Sequence, residues 1–170
     1  MGIALTFEKA DMNAGDRINR DACYRVFIGL GFESSSEYRK ISVDECAEIL
    51  DNEGFTVARG TTPSGARYLG VLKGKSGVQV NFYGCQGDND CLGVVFMVGF
   101  DRIKGASIER INYWNTKTKL LKAYVDGSSA VLEMAVPIEG GVTKSYLKNY
   151  VANYWSGMDQ FIKYLNGAPL

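Results

Sequence analysis

Val78-Gln79-Val80-Asn81-Phe82-Tyr83, then Gly84-Cys85-Gln86-Gly87-Asp88-Asn89-Asp90-Cys91, then Leu92-Gly93-Val94-Val95-Phe96-Met97-Val98-Gly99-Phe100, is the stretch on which the fold turns. In its first run, apolar Val78, Val80 and Phe82 alternate with Gln79, Asn81 and Tyr83, the period of a strand with one face buried. The last run is apolar almost throughout, as a central strand requires. Gln86 to Asp90 is a polar hairpin tip, and a connection this short joins antiparallel neighbours.

Upstream, Phe55–Arg59 and Ala66–Leu72 read as two more strands. Gly60-Thr61-Thr62-Pro63-Ser64-Gly65 turns the chain between them, and Lys73–Gly77 turns it again. Before the strands, Ser42 and Glu45 have capping-box spacing. Val43, Cys46, Ala47, Ile49 and Leu50 form one apolar face, and Gly54 stands where a helix ends, so a helix is expected over 42–53. Asn19–Leu30 also has helical spacing, broken by Gly31 and Ser34-Ser35-Ser36. Residues 1–40 form an N-terminal segment with this possible short helix, and 41–166 the domain.

Downstream the period changes. Ser107 can cap a helix in which Ile108, Ile111, Trp114 and Asn115 lie three and four apart. Leu120–Val125 and Ser129–Val136 read as a hairpin about Asp126-Gly127. Gly140-Gly141 turns the chain, and Thr143 caps a last amphipathic helix running to about Leu165. The expected fold is α+β, an antiparallel sheet with flanking helices in the order α-β-β-β-β-α-β-β-α.

The bulk composition limits function. The chain has 170 residues, 46% hydrophobic and 22% charged, suited to one globular domain. Lys plus Arg and Asp plus Glu are 19 each, so no net field favours nucleic acid. No apolar run spans a membrane. Met1–Glu8 does not read as a signal peptide, so the cytoplasm is expected, with the periplasm or secretion as the alternative if a leader precedes the chain. Gly2 and Thr6 match a short, common lipidation pattern.

Histidine is absent from the sequence. That removes the usual general base near neutral pH and the Ser-His and Cys-His nucleophile systems. Gly70-Val71-Leu72-Lys73-Gly74-Lys75-Ser76 is one residue short of a P-loop and precedes a strand, so it reads as a hairpin turn. Asp88-Asn89-Asp90 lacks the remaining ligands of a calcium loop. Asp101, Glu109, Asp126, Glu133 and Glu139 are scattered, and nothing pairs two of them across a cleft. No catalytic residue, metal site or cofactor is expected. Cys23 and Cys46 have no close partner in sequence, and Cys46 lies on an apolar helix face. Cys85 and Cys91 flank the hairpin tip. They read as a disulfide in an oxidising compartment, two thiols in a reducing one, or a redox switch.

Several short motifs carry a family resemblance. They are Phe82-Tyr83-Gly84-Cys85 with Cys91, Gly99-Phe100-Asp101, Glu109-Arg110-Ile111-Asn112-Tyr113-Trp114-Asn115, Ala123-Tyr124-Val125-Asp126-Gly127, Val131-Leu132-Glu133-Met134 and Glu139-Gly140-Gly141-Val142. In order and spacing they resemble the YbjN-domain family, labelled as bacterial sensory transduction regulators. Ala135 stands where the family commonly has an acid, and Thr116–Leu121 replaces a basic aromatic stretch. The resemblance implies a fold like that of type III secretion chaperones, often dimeric, and no known reaction. These motif residues read as structural. Trp114 and Asn115 are expected to pack under and cap the sheet, and Glu133 to be exposed or paired with Arg110 or a lysine.

The expected function is a non-enzymatic protein-interaction or chaperone-like regulatory module, binding a protein partner or forming a homodimer. The alternatives are a small-ligand binder or enzyme using Asp, Glu or Tyr, and a thiol redox sensor through Cys85 and Cys91.

Overall fold

The computed structural model describes residues 37–87, 89–101 and 107–170. The helix expected over Asn19–Leu30 lies outside them. Within them the expected order of elements is found. Helix α1 (Val43–Asn52) precedes strands β2 (Thr56–Thr61), β3 (Arg67–Lys73), β4 (Ser76–Tyr83) and β5 (Gly93–Asp101). Helix α2 (Ile108–Lys117), strands β6 (Lys122–Asp126) and β7 (Ser129–Pro137) and helix α3 (Lys144–Leu165) follow. Two short strands, β1 (Glu37–Tyr38) and β8 (Val142–Thr143), pair with each other and were not foreseen. Two residues are too few to carry a period.

Each helix begins on a cap. Glu45 N–H donates to Ser42 Oγ at 3.1 Å and Ser42 N–H to the Glu45 carboxylate at 2.9 Å, the complete capping box. Ser107 and Thr143 accept from the third residue of α2 and α3. Gly54, at φ +80°, ends α1 and sends the chain into β2.

The large sheet has the order β2-β3-β4-β5-β7-β6, antiparallel throughout. After α2 the chain enters the far edge as β6 and returns as β7 between β6 and β5. One face of this sheet is the core floor. Leu69, Val80, Phe96 and Met134 form one cross-strand row, and Val98, Leu132 and Ala123 the next. The long helix α3 lies over these rows. Tyr154 packs on Phe96 with ring centroids 5.4 Å apart, Phe161 on Phe100 at 5.7 Å, and Trp155 on Phe55 at 4.6 Å. Tyr154 is buried, yet its hydroxyl donates to Leu132 C=O at 3.0 Å, so its polar tip is satisfied.

Helix α2 closes the end of the core. Trp114 is fully buried against Phe161, centroids 4.8 Å apart. Asn115 beside it donates to Ala123 C=O and accepts from Ala123 N–H, both at 2.9 Å. Its amide thus substitutes for a neighbouring strand at that point on edge strand β6.

Candidate functional site

The opposite face of the sheet is covered by no helix among the described residues. On β2 to β5 its outward positions are Thr56, Ala58 and Gly60, then Tyr68, Gly70 and Leu72, then Gly77, Gln79, Asn81 and Tyr83, then Gly93, Val95, Met97, Gly99 and Asp101. Asp101 alone is charged, at the strand end. Large side chains lie flat over glycines directly opposite them on the next strand. A Cβ at Gly60 would stand 2.3 Å from the Tyr68 ring, one at Gly93 2.2 Å from the Tyr83 hydroxyl, and one at Gly77 2.8 Å from Leu72 Cδ2. Only glycine admits these contacts.

Gly70 and Gly99 are left uncovered, and a shallow groove of about 510 Å³ runs over them, bordered by Tyr68, Leu72, Gln79 and Met97. Gln79 donates to Asn81 at 2.7 Å and Asn81 to Met97 Sδ at 2.8 Å, so the polar groups on this floor are turned on each other. Leu72 is 50% exposed and Tyr83 38% exposed. The β6–β7 side of the same face is polar. Tyr124 donates to Glu133 at 3.1 Å, and Lys122 stands opposite Glu133 in the register. Loss of water, then the Glu133 hydrogen bond and the charges of Glu133 and Asp126, raise the Tyr124 hydroxyl above its ordinary pKa.

Glu133 is therefore half-buried and bonded to Tyr124, not to Arg110. Arg110 turns to α3, its guanidinium 4.3 Å above the Tyr164 ring. The remaining acids stay apart. Asp101 accepts from Ser129 at a strand end. Glu109 is exposed in the first turn of α2, where its own backbone N–H and Ser107 lower its pKa. The Cys46 thiol is pushed up to about 12 by burial, so it stays neutral and unreactive. Among the described residues no cluster of metal-ligating side chains occurs.

The family-motif residues do not gather at one point. Phe82, Phe100 and Met134 face the core, whereas Tyr83 and Gly99 lie on the open face. Asn112 is exposed on α2. Gly84 (φ +62°) sits against Leu92, and Gly140 and Gly141 form the turn before β8, where the Glu37 side chain fills the space a Cβ of Gly141 would need.

Cys85 and Cys91 are joined by a disulfide, Cα atoms 3.9 Å apart. Cys91 exchanges two backbone hydrogen bonds with Ile41, each 3.0 Å, and Lys40 pairs with Asp90 at 3.1 Å. The disulfide borders a cleft of about 380 Å³ walled by Val43, Ser64–Arg67 and Phe82. A third cleft, about 470 Å³, lies between α3 and the β3–β4 turn, with Lys148 paired to Glu53 on its rim and Lys73 over the Phe55 ring.

The alternation of Val78–Tyr83 and the family motifs single out Gln79, Asn81, Tyr83 and Gly99, but do not show that their face stays open. The tyrosines were visible, but which glycine each would cover depends on strand register. The signal available was the glycine content of the outward positions, which weakens a strand unless something packs there.

A family model, YbjN, described as "Putative bacterial sensory transduction regulator", matches residues 42–166, well over half of the chain. The chain belongs to this family. Neither a curated protein nor a solved structure matches it. Among the described residues no helix is long and apolar enough to cross a membrane.

Proposed function

We propose that this member of the YbjN family is a non-enzymatic regulatory module that binds protein on the outer face of β2–β5, whose one charge lies at its rim, and that the occupant is a second copy of the chain. The observation that carries the reading is the composition of that face. An antiparallel sheet with one solvated face normally alternates hydrophobic-in with polar-out. Here the outward positions are glycine, tyrosine, leucine, valine, methionine, alanine, Thr56 and two amides bonded to each other and to Met97, with Asp101 alone charged at the strand end.

A second copy suits this face for two reasons. A surface with no charge in its interior, Asp101 lying at its rim, can meet its own image without opposing like charges at its centre, as a two-fold interface requires. The area also suffices. The four strands β2–β5, about 4.8 Å apart and about 25 Å long, offer roughly 480 Å² per copy, about 1,000 Å² for the pair, the size of a weak interface that dissociates on dilution. Two such sheets would stack about 10 Å apart with strands within about 30° of each other. Pairing through the β6 edge is hindered because Asn115 occupies Ala123. Among the described residues Glu133 is bonded to Tyr124, Asp101 to Ser129 and Tyr154 to the Leu132 carbonyl, at separate places in the fold, which supports a role without catalysis.

Sedimentation velocity over a wide concentration range tests this. The expected result is a dimer that dissociates on dilution and becomes monomeric in Leu72→Asp and Met97→Asp, with unchanged circular dichroism. A monomer at every concentration overturns the self-association, and a dimer indifferent to both substitutions overturns this face. A monomer that instead binds one defined protein through position 97 replaces the second copy with that partner.

A further inference from the structure

We infer that the Cys85–Cys91 disulfide is a thiol–disulfide exchange site for a dithiol reductant, and that its reduction releases the segment leading into α1. The two sulfurs are unequally placed. Cys85 is exposed at the hairpin tip, Cys91 is fully buried, and both border the cleft between Phe82 and the Ser64–Arg67 turn. An incoming thiolate therefore meets Cys85 first.

The bond also holds one local contact. Cys91 N–H and C=O both engage Ile41, a core residue directly before the Ser42 cap of α1. Asp90 holds Lys40 in the same segment. The bond spans only six positions, so opening it loosens the tip and this attachment while the sheet stays folded.

The exchange balances without further reactants. A thiolate of the dithiol attacks Cys85 Sγ, the Cys85–Cys91 bond breaks, and the Cys91 sulfur leaves with the electron pair and takes a proton. The second thiol of the reductant then displaces Cys85, which leaves as a thiol. Two electrons and two protons pass to the protein, and the reductant ends as its own disulfide.

The test uses the full chain and dithiothreitol as the probe, without denaturant. Alkylation and peptide mapping are expected to find Cys85 and Cys91 newly labelled while circular dichroism is unchanged. Amide hydrogen exchange is expected to lose protection at Ile41 and Cys91 and to keep it at Val80 and Phe96. The C85S/C91S double variant should reproduce that exchange pattern. A bond that yields only after denaturation overturns the proposal, as does reduction that leaves Ile41 and Cys91 protected.

Discussion

Arg110 and Tyr164 hold each other reciprocally across the core. The Arg110 guanidinium stacks 4.3 Å above the Tyr164 ring and donates to the Tyr164 carbonyl, and the Tyr164 hydroxyl donates to the Arg110 carbonyl at 2.9 Å. This joins α2 to the last turn of α3, beside the buried Trp114. The donation adds a second bond to a carbonyl at the helix end that also accepts from Gly167 N–H at 3.0 Å.

The pair should therefore carry stability. Tyr164→Phe removes one hydrogen bond and should cost about 1 kcal/mol; Arg110→Ala removes the charged donor and the stacking and should cost about 2–3 kcal/mol. Arg110→Lys should not restore the loss, because an ammonium lacks the planar group that stacks. Urea denaturation of the three variants measures this, and a full rescue by lysine would refute the stacking argument.

Asn115 protects an edge. Asn115→Ala leaves both backbone groups of Ala123 without partners and should lower stability by about 1–2 kcal/mol. It also uncovers part of a strand edge, so concentration-dependent light scattering should rise. Asn115→Asp keeps the acceptor and loses the donor, and should fall between the two.

The disulfide closes a short loop. Loop entropy alone assigns it about 2 kcal/mol, well below the value for a long loop. The C85S/C91S variant should thus unfold at moderately lower urea with a similar slope. A collapse of the cooperative transition would mean that the tip holds more of the fold than Ile41.

Gly93 separates stability from association. A methyl there would strike the Tyr83 ring, but that ring is 38% exposed and can swing outward. Gly93→Ala should therefore change stability by less than about 1 kcal/mol, as for a site that relaxes, while the raised ring weakens the dimer. Thermal melting and sedimentation equilibrium on the same sample distinguish the two effects.

Alkaline pH should unfold the domain through Tyr154. Burial, and secondarily the charge of Glu133, hold its hydroxyl well above the usual phenol range. Because the folded pKa is raised, the folded state keeps a proton that the unfolded chain releases. The stabilisation is complete below the unfolded value near 10 and is lost as pH rises towards the folded value. Tyr146, raised to about 12 by its hydrogen bond with Tyr150 and by desolvation, acts in the same direction. Tyr154→Phe should flatten the decline in urea midpoint above pH 10, and an unchanged decline would exclude Tyr154 as its source.

The sequence by itself determined the elements and their order. The caps Ser42, Ser107 and Thr143, the Gly54 stop and the alternation of Val78 to Tyr83 act within a few residues, where backbone groups are satisfied locally or a period shows directly. It also placed the motif residues of the family on a chain whose family membership then followed. What it left undecided has one cause. The placing of β7 between β5 and β6, the covering of Gly60 by Tyr68 and Gly93 by Tyr83, the Asn115–Ala123 surrogate pairing and the Arg110–Tyr164 clamp join residues that meet only through strand register or helix packing. A one-residue slip of register would move each side chain to the other face, so only the packed tertiary structure decides which surface remains open.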